Sequence, residues 1–461
     1  MSGTDISAAE AAAKGPEVAV ADGTATASPI AGAARRYTLI ILLVIYTLNF
    51  LDRQIINILA EPIKQELGLA DWQMGAMTGL AFAAIYTFLG VPMARLSDRH
   101  NRVWIVSAAL ATWSAFTVLC GMAQNFTQML LARFGVGVGE AGCTPPAQSL
   151  ITEITPKSER ARALAFYSLG VPIGSLLGMV IGGVVADHWG WRAAFFVVGL
   201  PGILLALLTV ITVKDPRGQA MVKAAQAAAP RQSFKEVLGV LGRKKSFWYL
   251  SAGAGLISLV GYAHQSFYGS FFLRNHRAEI TELATSIGFA GPIGLLGLSL
   301  GLILGLSGAF GTFLGGRFGD FFAARGQGEG GYMTAPAIAT VVAMPILALV
   351  FVAPTATLAL AILIVPTVLK AMWYGPVYAG VQGLVADRSR ATATAMLLLV
   401  INLIGLGTGP LIAGILSDLF AASLGPAEGL RWAMVSICLF GVVAGGLFWI
   451  GRRHLAAESI S

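Results

Sequence analysis

Four ionisable residues stand inside long apolar stretches that carry almost no other charge. They are two carboxylic acids and two arginines, Asp52, Arg53, Arg133 and Glu140. An ionisable side chain held inside a bilayer costs on the order of several kcal/mol unless it is paired or hydrated, and such residues mark transport pathways and proton relays by default. Arginine stays protonated, so only the two acids can change charge. This set predicts a site that takes up a proton and binds an anion.

The positions of these residues along two predicted helices place them at similar depths. At 1.5 Å per residue, Asp52 and Arg53 lie about 22 and 24 Å from the start of the first predicted span. Arg133 and Glu140 lie about 28 and 18 Å from the same membrane face on the fourth span. Two helical turns separate Arg133 from Glu140, so these two share a helix face. The alternative to a functional role is a static buried ion network that fixes helix packing.

The composition of the chain requires a membrane. Of its 461 residues, 56% are hydrophobic and 12% are charged, whereas soluble domains are about 25% charged. The apolar runs are continuous rather than alternating, which favours helices over an outer-membrane barrel. We therefore predict an all-α membrane protein with twelve transmembrane helices, near 37–59, 72–94, 103–121, 126–151, 161–185, 192–213, 247–273, 286–314, 332–352, 355–384, 391–416 and 431–450.

Charge and composition divide the predicted chain into five parts. These are a disordered tail over 1–34, a six-helix bundle over 35–213, a basic linker over 214–246, a second six-helix bundle over 247–451 and a tail over 452–461. Lys and Arg concentrate in alternate loops, a pattern that places both termini in the cytoplasm. The net charge of +8 therefore reflects topology and does not indicate a nucleic-acid surface. The linker contains a candidate short helix near Ser233–Gly242.

The two predicted bundles repeat the same landmarks. Asp98 after the second span corresponds to Asp320 after the eighth, and Arg160 at the start of the fifth span corresponds to Arg388 at the start of the eleventh. The members of each pair are separated by nearly the same length of chain, slightly less than half of the whole. This near-constant offset predicts a duplicated six-helix unit, and repeats of this kind often flank a central site that is reached alternately from each side.

One motif that follows the second predicted span resembles a signature of the major facilitator superfamily. It reads Ala94-Arg-Leu-Ser-Asp98-Arg99-His-Asn101-Arg102, with a shorter copy at Gly316-Arg-Phe-Gly-Asp320. Glycines at 170, 174, 178 and 182 provide a second match, and their spacing predicts a flat face for close helix contact. The resemblance covers about 37–450 and implies two bundles around a central cavity that work by alternating access.

The charged motif has two interpretations. Asp98 can accept hydrogen bonds from the N–H groups of a helix N-terminus or from a nearby arginine. On this interpretation, Asp98, Arg99, Arg102 and Asp320 form a latch that holds one conformation. The other interpretation is a basic loop that only sets topology.

Three segments narrow the resemblance to Spinster-like proteins: Leu48-Asn-Phe-Leu-Asp52-Arg53, Leu96-Ser-Asp98-Arg99-His-Asn101-Arg102 and Arg133-Phe-Gly-Val-Gly-Val-Gly-Glu140-Ala141. This resemblance implies a transporter of lysophospholipid or sphingosine-phosphate-like lipids, often proton-linked, in a bacterial inner membrane. The anion:cation symporter branch also has a first-span Asp-Arg pair and a fourth-span Gly-Glu-Ala. A proton-coupled symporter of small organic anions is therefore the alternative.

These patterns assign roles to five residues. We expect Glu140 to carry the proton, with Asp52 as the second acid, and Arg53, Arg133 and Lys370 to bind the anion. A protonated Glu140 would release an arginine, which could then pair with a phosphate or carboxylate. No phosphate-binding loop or metal-ligand spacing occurs in the sequence, so we expect a monomeric transporter without cofactor, metal or enzymatic activity. Its partners would be the anionic substrate, protons and membrane lipids.

Overall fold

The computed structural model of this chain describes residues 32–216, 234–386 and 389–459. Every regular element in these ranges is helical, which confirms the predicted all-α class. By length and apolar composition, eight helical segments of the described chain could cross a membrane: Gly32–Ile58, Arg102–Met122, Lys157–Thr212, Pro292–Arg325, Gly328–Val352, Ala356–Gln382, Arg390–Leu424 and Pro426–Glu458. The twelve spans stay a prediction.

The first half is a series of apolar helices separated by short turns. Its α-helices are α1 (Gly32–Ile58), α2 (Ala60–Leu67), α3 (Asp71–Gly75), α4 (Ala81–Arg99), α5 (Arg102–Met122), α6 (Phe126–Ala141), α7 (Thr144–Ile154), α8 (Arg160–Ser168) and α9 (Gly170–Thr212). A π-helical turn, Ala76–Leu80, joins α3 to α4. Within α9, Gly190 has a φ of 79° and a ψ of 165°, which interrupts the helix between the fifth and sixth predicted spans.

The second half repeats this pattern. Its α-helices are α10 (Phe234–Gly242), α11 (Lys245–Asn275), α12 (Arg277–Ser286), α13 (Pro292–Phe322), α14 (Thr334–Val352), α15 (Ala356–Ala371), α16 (Tyr374–Gln382), α17 (Arg390–Val400), α18 (Gly409–Leu424) and α19 (Pro426–Glu458). A π-helix, Ile401–Thr408, joins α17 to α18. Helix α10 lies where the sequence indicated a short helix in the linker.

Prolines break two spans that were predicted as continuous helices. The span predicted over 126–151 consists of α6 and α7, and the turn between them precedes Pro145 and Pro146. The span predicted over 355–384 likewise consists of α15 and α16, with Pro376 in the first turn of α16. Proline lacks the N–H group that continues a helix but fits in a first turn, so each proline starts a new helix.

Some helix ends differ from the predicted limits. The helix that corresponds to the predicted eighth span begins at Pro292 instead of 286, because α12 forms a separate helix before it. The basic motif lies at the end of α4, and Asn101 caps α5 by accepting hydrogen bonds from two backbone N–H groups. The predicted tail over 452–461 is helical as far as Glu458, since the apolar side chain of Leu455 is buried. Residues 1–31 of the first tail and 217–233 of the linker lie outside the described chain.

The regularly spaced glycines of α9 form the face for close helix contact that their spacing predicted, and the helix that packs against this face is α1. A Cβ atom on Gly174 would lie 2.2 Å from the backbone oxygen of Thr47, and one on Gly178 would lie 2.5 Å from that of Leu51. These distances are far below van der Waals contact. The flat glycine face of α9 therefore determines how closely α9 packs against α1.

The two halves touch near one end and separate towards the other. A Cβ atom on Gly297 of α13 would lie 2.2 Å from the backbone oxygen of Met179 on α9, whereas Gly305 and Gly308 have nothing within 4 Å. The contact of α3 and α4 with α18 shows the same pattern. A Cβ atom on Gly75 would lie 2.2 Å from the backbone oxygen of Pro410, whereas one on Gly90 would have nothing within 4 Å. We call the contacting end, which includes the starts of α3 and α13, the closed end, and the opposite end the open end.

We predict that Gly174→Ala destabilises the protein, because the added methyl group must separate α1 from α9. Overpacking of this kind typically costs about 1–3 kcal/mol. The measurement is the apparent melting temperature in detergent. Gly305→Ala is the matched control, since a methyl group there meets open space, and it should leave the melting temperature unchanged or raise it slightly. Equal melting temperatures for the two variants would contradict the packing analysis.

Candidate functional site

Arg53 and Glu140 form an ion pair between α1 and α6. The Nε atom of Arg53 donates to Oε2 of Glu140 at 2.5 Å. The Glu140 side chain is fully buried, whereas that of Arg53 is 20% exposed. The other carboxylate oxygen of Glu140, Oε1, has no hydrogen-bond partner. The pair therefore has a solvent-accessible cation and a buried acid with one free oxygen.

Asp52 and Arg133 form a second and more deeply buried pair. Nη1 of Arg133 lies 3.4 Å from Oδ2 of Asp52, and both side chains are at most 2% exposed. The hydroxyl of Thr117 on α5 donates to Oδ1 of Asp52 at 2.7 Å. Both oxygens of Asp52 are therefore hydrogen-bonded, unlike those of Glu140. The sequence analysis missed Thr117, because a threonine in an apolar helix gives no signal of its partner on another helix.

The four residues therefore lie together as two ion pairs, and their formal charges cancel. The guanidinium of Arg53 also lies 5.0 Å from the centre of the Phe50 ring, at cation–π distance. Exposure distinguishes Arg53 from the other three side chains, which are buried. A ligand entering from solvent would thus meet Arg53 first.

An amide contact joins the halves beside this site. Nε2 of Gln265 on α11 donates to Oε1 of Gln54 at 2.8 Å, and Nδ2 of Asn57 donates to the same oxygen at 3.0 Å. Gln54 follows Arg53 directly in the chain. The contact places α11, a helix of the second half, next to the charged pairs of the first.

Lys370 is the predicted anion ligand of the second half. It lies half-buried near the end of α15, and its titratable neighbours include the thiol of Cys438 on α19 and the imidazole of His264 on α11. Within the described part of the chain, we find no ion pair for Lys370. Lys370 therefore differs from Arg53 and Arg133, each of which is paired with a carboxylate.

The predicted latch residues do not form one cluster in the described chain. Arg102 is fully buried and forms ion pairs with Asp215 at 2.6 Å and with Glu153 at 2.7 Å, which joins the open ends of α5, α7 and α9. Arg99 and Asp320 are exposed, and the side chain of Asp98 lies outside what the structure describes. Asp215 and Glu153 are partners that the sequence analysis missed.

A larger ionic network ties the halves together at the closed end, and the sequence did not predict it. The Arg274 guanidinium at the end of α11 contacts Asp71 and Glu61 of the first half at 2.7 Å each. Lys64 and Ser417 bind the Asp71 carboxylate at 2.6 Å. Burial acts to raise the pKa of Asp71, but the hydrogen bonds and charges of Arg274 and Lys64 outweigh it and lower the pKa from 3.8 to about 2.

Comparisons with known proteins agree with this architecture. Residues 42–405 match the family profile described as Major Facilitator Superfamily. An MFS-type efflux pump of Mycolicibacterium smegmatis is 31% identical over 91% of this chain and 94% of its own length. Protein spinster homolog 1 of Xenopus tropicalis is 25% identical over 89% of this chain and 79% of its own length.

A solved structure resembles nearly the whole chain. It is a bacterial homologue of the human lysosomal transporter Spinster in an inward-facing and unoccupied conformation. It superposes with a TM-score of 0.81 at 32% sequence identity and covers 94% of this chain and 100% of its own. The resemblance to Spinster-like proteins that the three segments indicated is therefore confirmed.

We predict that Asp71 stabilises the protein above about pH 4 and that this contribution decreases as the pH falls towards 2. The reason is that its folded pKa of about 2 lies below the ordinary value of 3.8, so protonation favours the unfolded chain. The measurement compares the melting temperatures of the wild type and Asp71→Asn in detergent between pH 8 and 3. The difference should stay constant from pH 8 to 5 and shrink below pH 4.

Glu282→Gln serves as the control for this experiment, because Glu282 is an exposed carboxylate of α12. Its melting temperature should follow that of the wild type at every pH. A difference between the wild type and Asp71→Asn that changes between pH 8 and 5 would contradict the assignment to Asp71.

Proposed function

The chain belongs to the Major Facilitator Superfamily, and on that premise we propose that it is a proton-coupled secondary active transporter for an amphiphilic anion. Its similarity to Spinster-like proteins supports membrane transport as the general function, rather than enzymatic activity. The proposal adds twelve spans, alternating access, a bacterial inner-membrane location and a cargo of the lysophospholipid or sphingosine-phosphate type. The observation that carries the proposal is the pair of buried acids, each held by an arginine.

The proposed topology makes the open end cytoplasmic. Arginines and lysines cluster there, as at Arg99, Arg102, Lys157 and Lys214, and cytoplasmic loops carry an excess of such residues. The structure would then be inward-facing, with its cavity open to the cytoplasm. A cysteine placed at the exposed Ala457 should react with a membrane-impermeant maleimide only after the cells are lysed. Reaction in intact cells would reverse the assigned topology.

Glu140 is the better candidate for the proton carrier because its bonding is incomplete. A proton can add to its unpartnered Oε1 atom without displacing a hydrogen bond. At Asp52, a proton would compete with the bonds from Thr117 or Arg133. Protonation of Glu140 weakens its hold on Arg53, because a neutral acid attracts a guanidinium less than a carboxylate does.

Release of Arg53 links the proton to the cargo. The freed guanidinium is accessible to solvent and can bind a phosphate or carboxylate through two parallel hydrogen bonds. An anion on Arg53 in turn makes Glu140 easier to protonate, since the arginine no longer stabilises the carboxylate. By thermodynamic reciprocity, proton uptake and anion binding then favour each other.

The balance of charges supports an anionic cargo. The two first-half pairs cancel, while Lys370 in the second half has no ion pair among the described residues. Aromatic rings accompany both cations: Phe50 lies beside Arg53, and the stacked rings of Trp373 and Tyr374 follow Lys370 in the chain. Apolar lining with a few placed charges suits a ligand that has an anionic head and a hydrocarbon tail.

We predict that Glu140→Gln abolishes the response of transport to a pH gradient and slows gradient-driven uptake at least about tenfold. The amide keeps the shape of the side chain but cannot take up a proton. The measurement is uptake of a labelled lysophospholipid into proteoliposomes with and without an inward proton gradient. Asp52→Asn is the comparison, and it should slow transport while preserving the gradient response. Near wild-type, gradient-dependent uptake by Glu140→Gln would disprove the coupling.

A substrate panel tests the class of cargo. We expect saturable uptake of anionic lysophospholipids and no competition from hexuronates or aromatic acids. Lys370→Met should raise the KM for the anionic lipid about tenfold, whereas Lys370→Arg should restore it because the positive charge returns. A neutral monoacylglycerol is the control ligand, and its competition should not depend on Lys370. Transport of small organic acids without lipid transport would favour the anion:cation symporter alternative.

A further inference from the structure

At the closed end, each of two carboxylates binds the start of a helix that belongs to the opposite half. Asp187, near the middle of α9, accepts hydrogen bonds from the backbone N–H groups of Ile293 at 3.3 Å and Gly294 at 2.6 Å. Asp418 of α18 accepts from the N–H groups of Asp71 at 3.0 Å and Trp72 at 2.8 Å. In both cases Oδ1 binds the first N–H group and Oδ2 binds the second.

The two contacts are copies of each other. The distance along the chain from Asp187 to Asp418 is nearly the same as that from Asp98 to Asp320, the landmarks that relate the two halves. The N–H groups that the two acids bind are separated by a similar length of chain. Each acid lies one helical turn after a glycine, in Gly183-Val-Val-Ala-Asp187 and Gly414-Ile-Leu-Ser-Asp418. Both glycines press against the opposite half: a Cβ atom would lie 2.4 Å from the backbone oxygen of Ile293 and 2.3 Å from that of Asp71, respectively.

The physical basis of each contact is the unsatisfied start of a helix. The first N–H groups of a helix have no partner within it, and the helix dipole makes that end positive. A carboxylate from the other half supplies both an acceptor and an opposite charge. Close glycine packing brings the backbones near enough for a short aspartate side chain to reach. When the halves separate at this end, all four N–H groups and both acids must change partners.

Other helix starts are capped from within one half. Glu279 of α12 accepts from the N–H groups of Ala356 and Thr357 at the start of α15, at 2.6 and 3.1 Å. Glu458 of α19 does the same for Lys245 and Ser246 at the start of α11. These caps do not cross between the halves, so a movement of one half against the other leaves them intact.

We propose that Asp187 and Asp418 form a paired lock that stabilises the closed end by capping helices across the two halves. The lock rests on the proposed alternating access, because it acts on the equilibrium between a closed and an opened state of this end. The two caps share no residue, so each contributes independently, and both are lost in the same movement. The Arg274 network crosses the same end through different residues of α11 and α2.

The test measures the conformation of the purified protein without any substrate. Spin labels on Thr127→Cys and Glu282→Cys, two exposed positions in opposite halves at the closed end, report their separation in lipid nanodiscs by pulsed electron resonance. A typical cap changes an equilibrium about fivefold. Asp187→Ala and Asp418→Ala should each raise the ratio of opened to closed populations by about this factor, and the double variant by about 25-fold.

A second measurement detects rare opening. In right-side-out vesicles, an impermeant maleimide added at the closed end should modify Ile58→Cys faster in the Asp187→Ala and Asp418→Ala variants, because Ile58 is buried against Gly269 of the other half. Cys120, Cys143 and Cys438 are buried, and a protein without the added cysteine corrects for any reaction at them.

Glu279→Ala is the matched control, since it removes a helix cap at the same end without a link between the halves. It should change neither the spin-label distances nor the labelling rate. Unchanged distances and rates in the double Asp187→Ala, Asp418→Ala variant would overturn the lock, and so would an equal response to Glu279→Ala. Either result would leave the cargo and the proton site untouched, because neither measurement involves transport.

Discussion

The two buried acids at the centre of the first half must each be matched by a positive charge, because an isolated ion in an apolar interior costs several kcal/mol. The first half satisfies this constraint with two acid–arginine pairs that join α1 and α6. The pairs are unequal, however. Asp52 has partners on both oxygens and Glu140 on one, so the same constraint that holds the helices together leaves one acid incompletely bound. A structural requirement thus supplies the chemical asymmetry that a proton carrier needs.

A related requirement applies to the backbone at helix starts. Breaks in the helices create free N–H groups, and in the described chain several of these receive a carboxylate from another helix. Whether such a cap stabilises one half or joins two depends only on which helix supplies the acid. Asp187 and Asp418 reach across, while Glu279 stays within its own half. The same local chemistry therefore serves the stability of a bundle in one place and the association of two bundles in another.

The sequence predicted the features that depend on local pattern and spacing. Apolar runs predicted helices, the regular glycine repeat predicted a flat face for close helix contact, and helical rise placed Asp52 and Glu140 at similar depths. It did not predict which arginine pairs with which acid, since all four lie within reach of one another. Thr117 and Arg274 were missed because their roles depend on contacts between distant helices, which spacing along one helix cannot reveal.

The placement of the charged pairs constrains how they can act on the rest of the molecule. All four residues and Thr117 belong to α1, α5 and α6, so a movement of one half against the other does not stretch either ion pair. Protonation alone therefore changes the first half without directly pulling on the second. Gln54, the neighbour of Arg53 in the chain, does reach the second half. Its side chain accepts a hydrogen bond from Gln265, and this contact between two amides carries no charge. Under the proposed function, an anion held between Arg53 and Lys370 would be the charged link between the halves, so the cargo itself would complete the coupling.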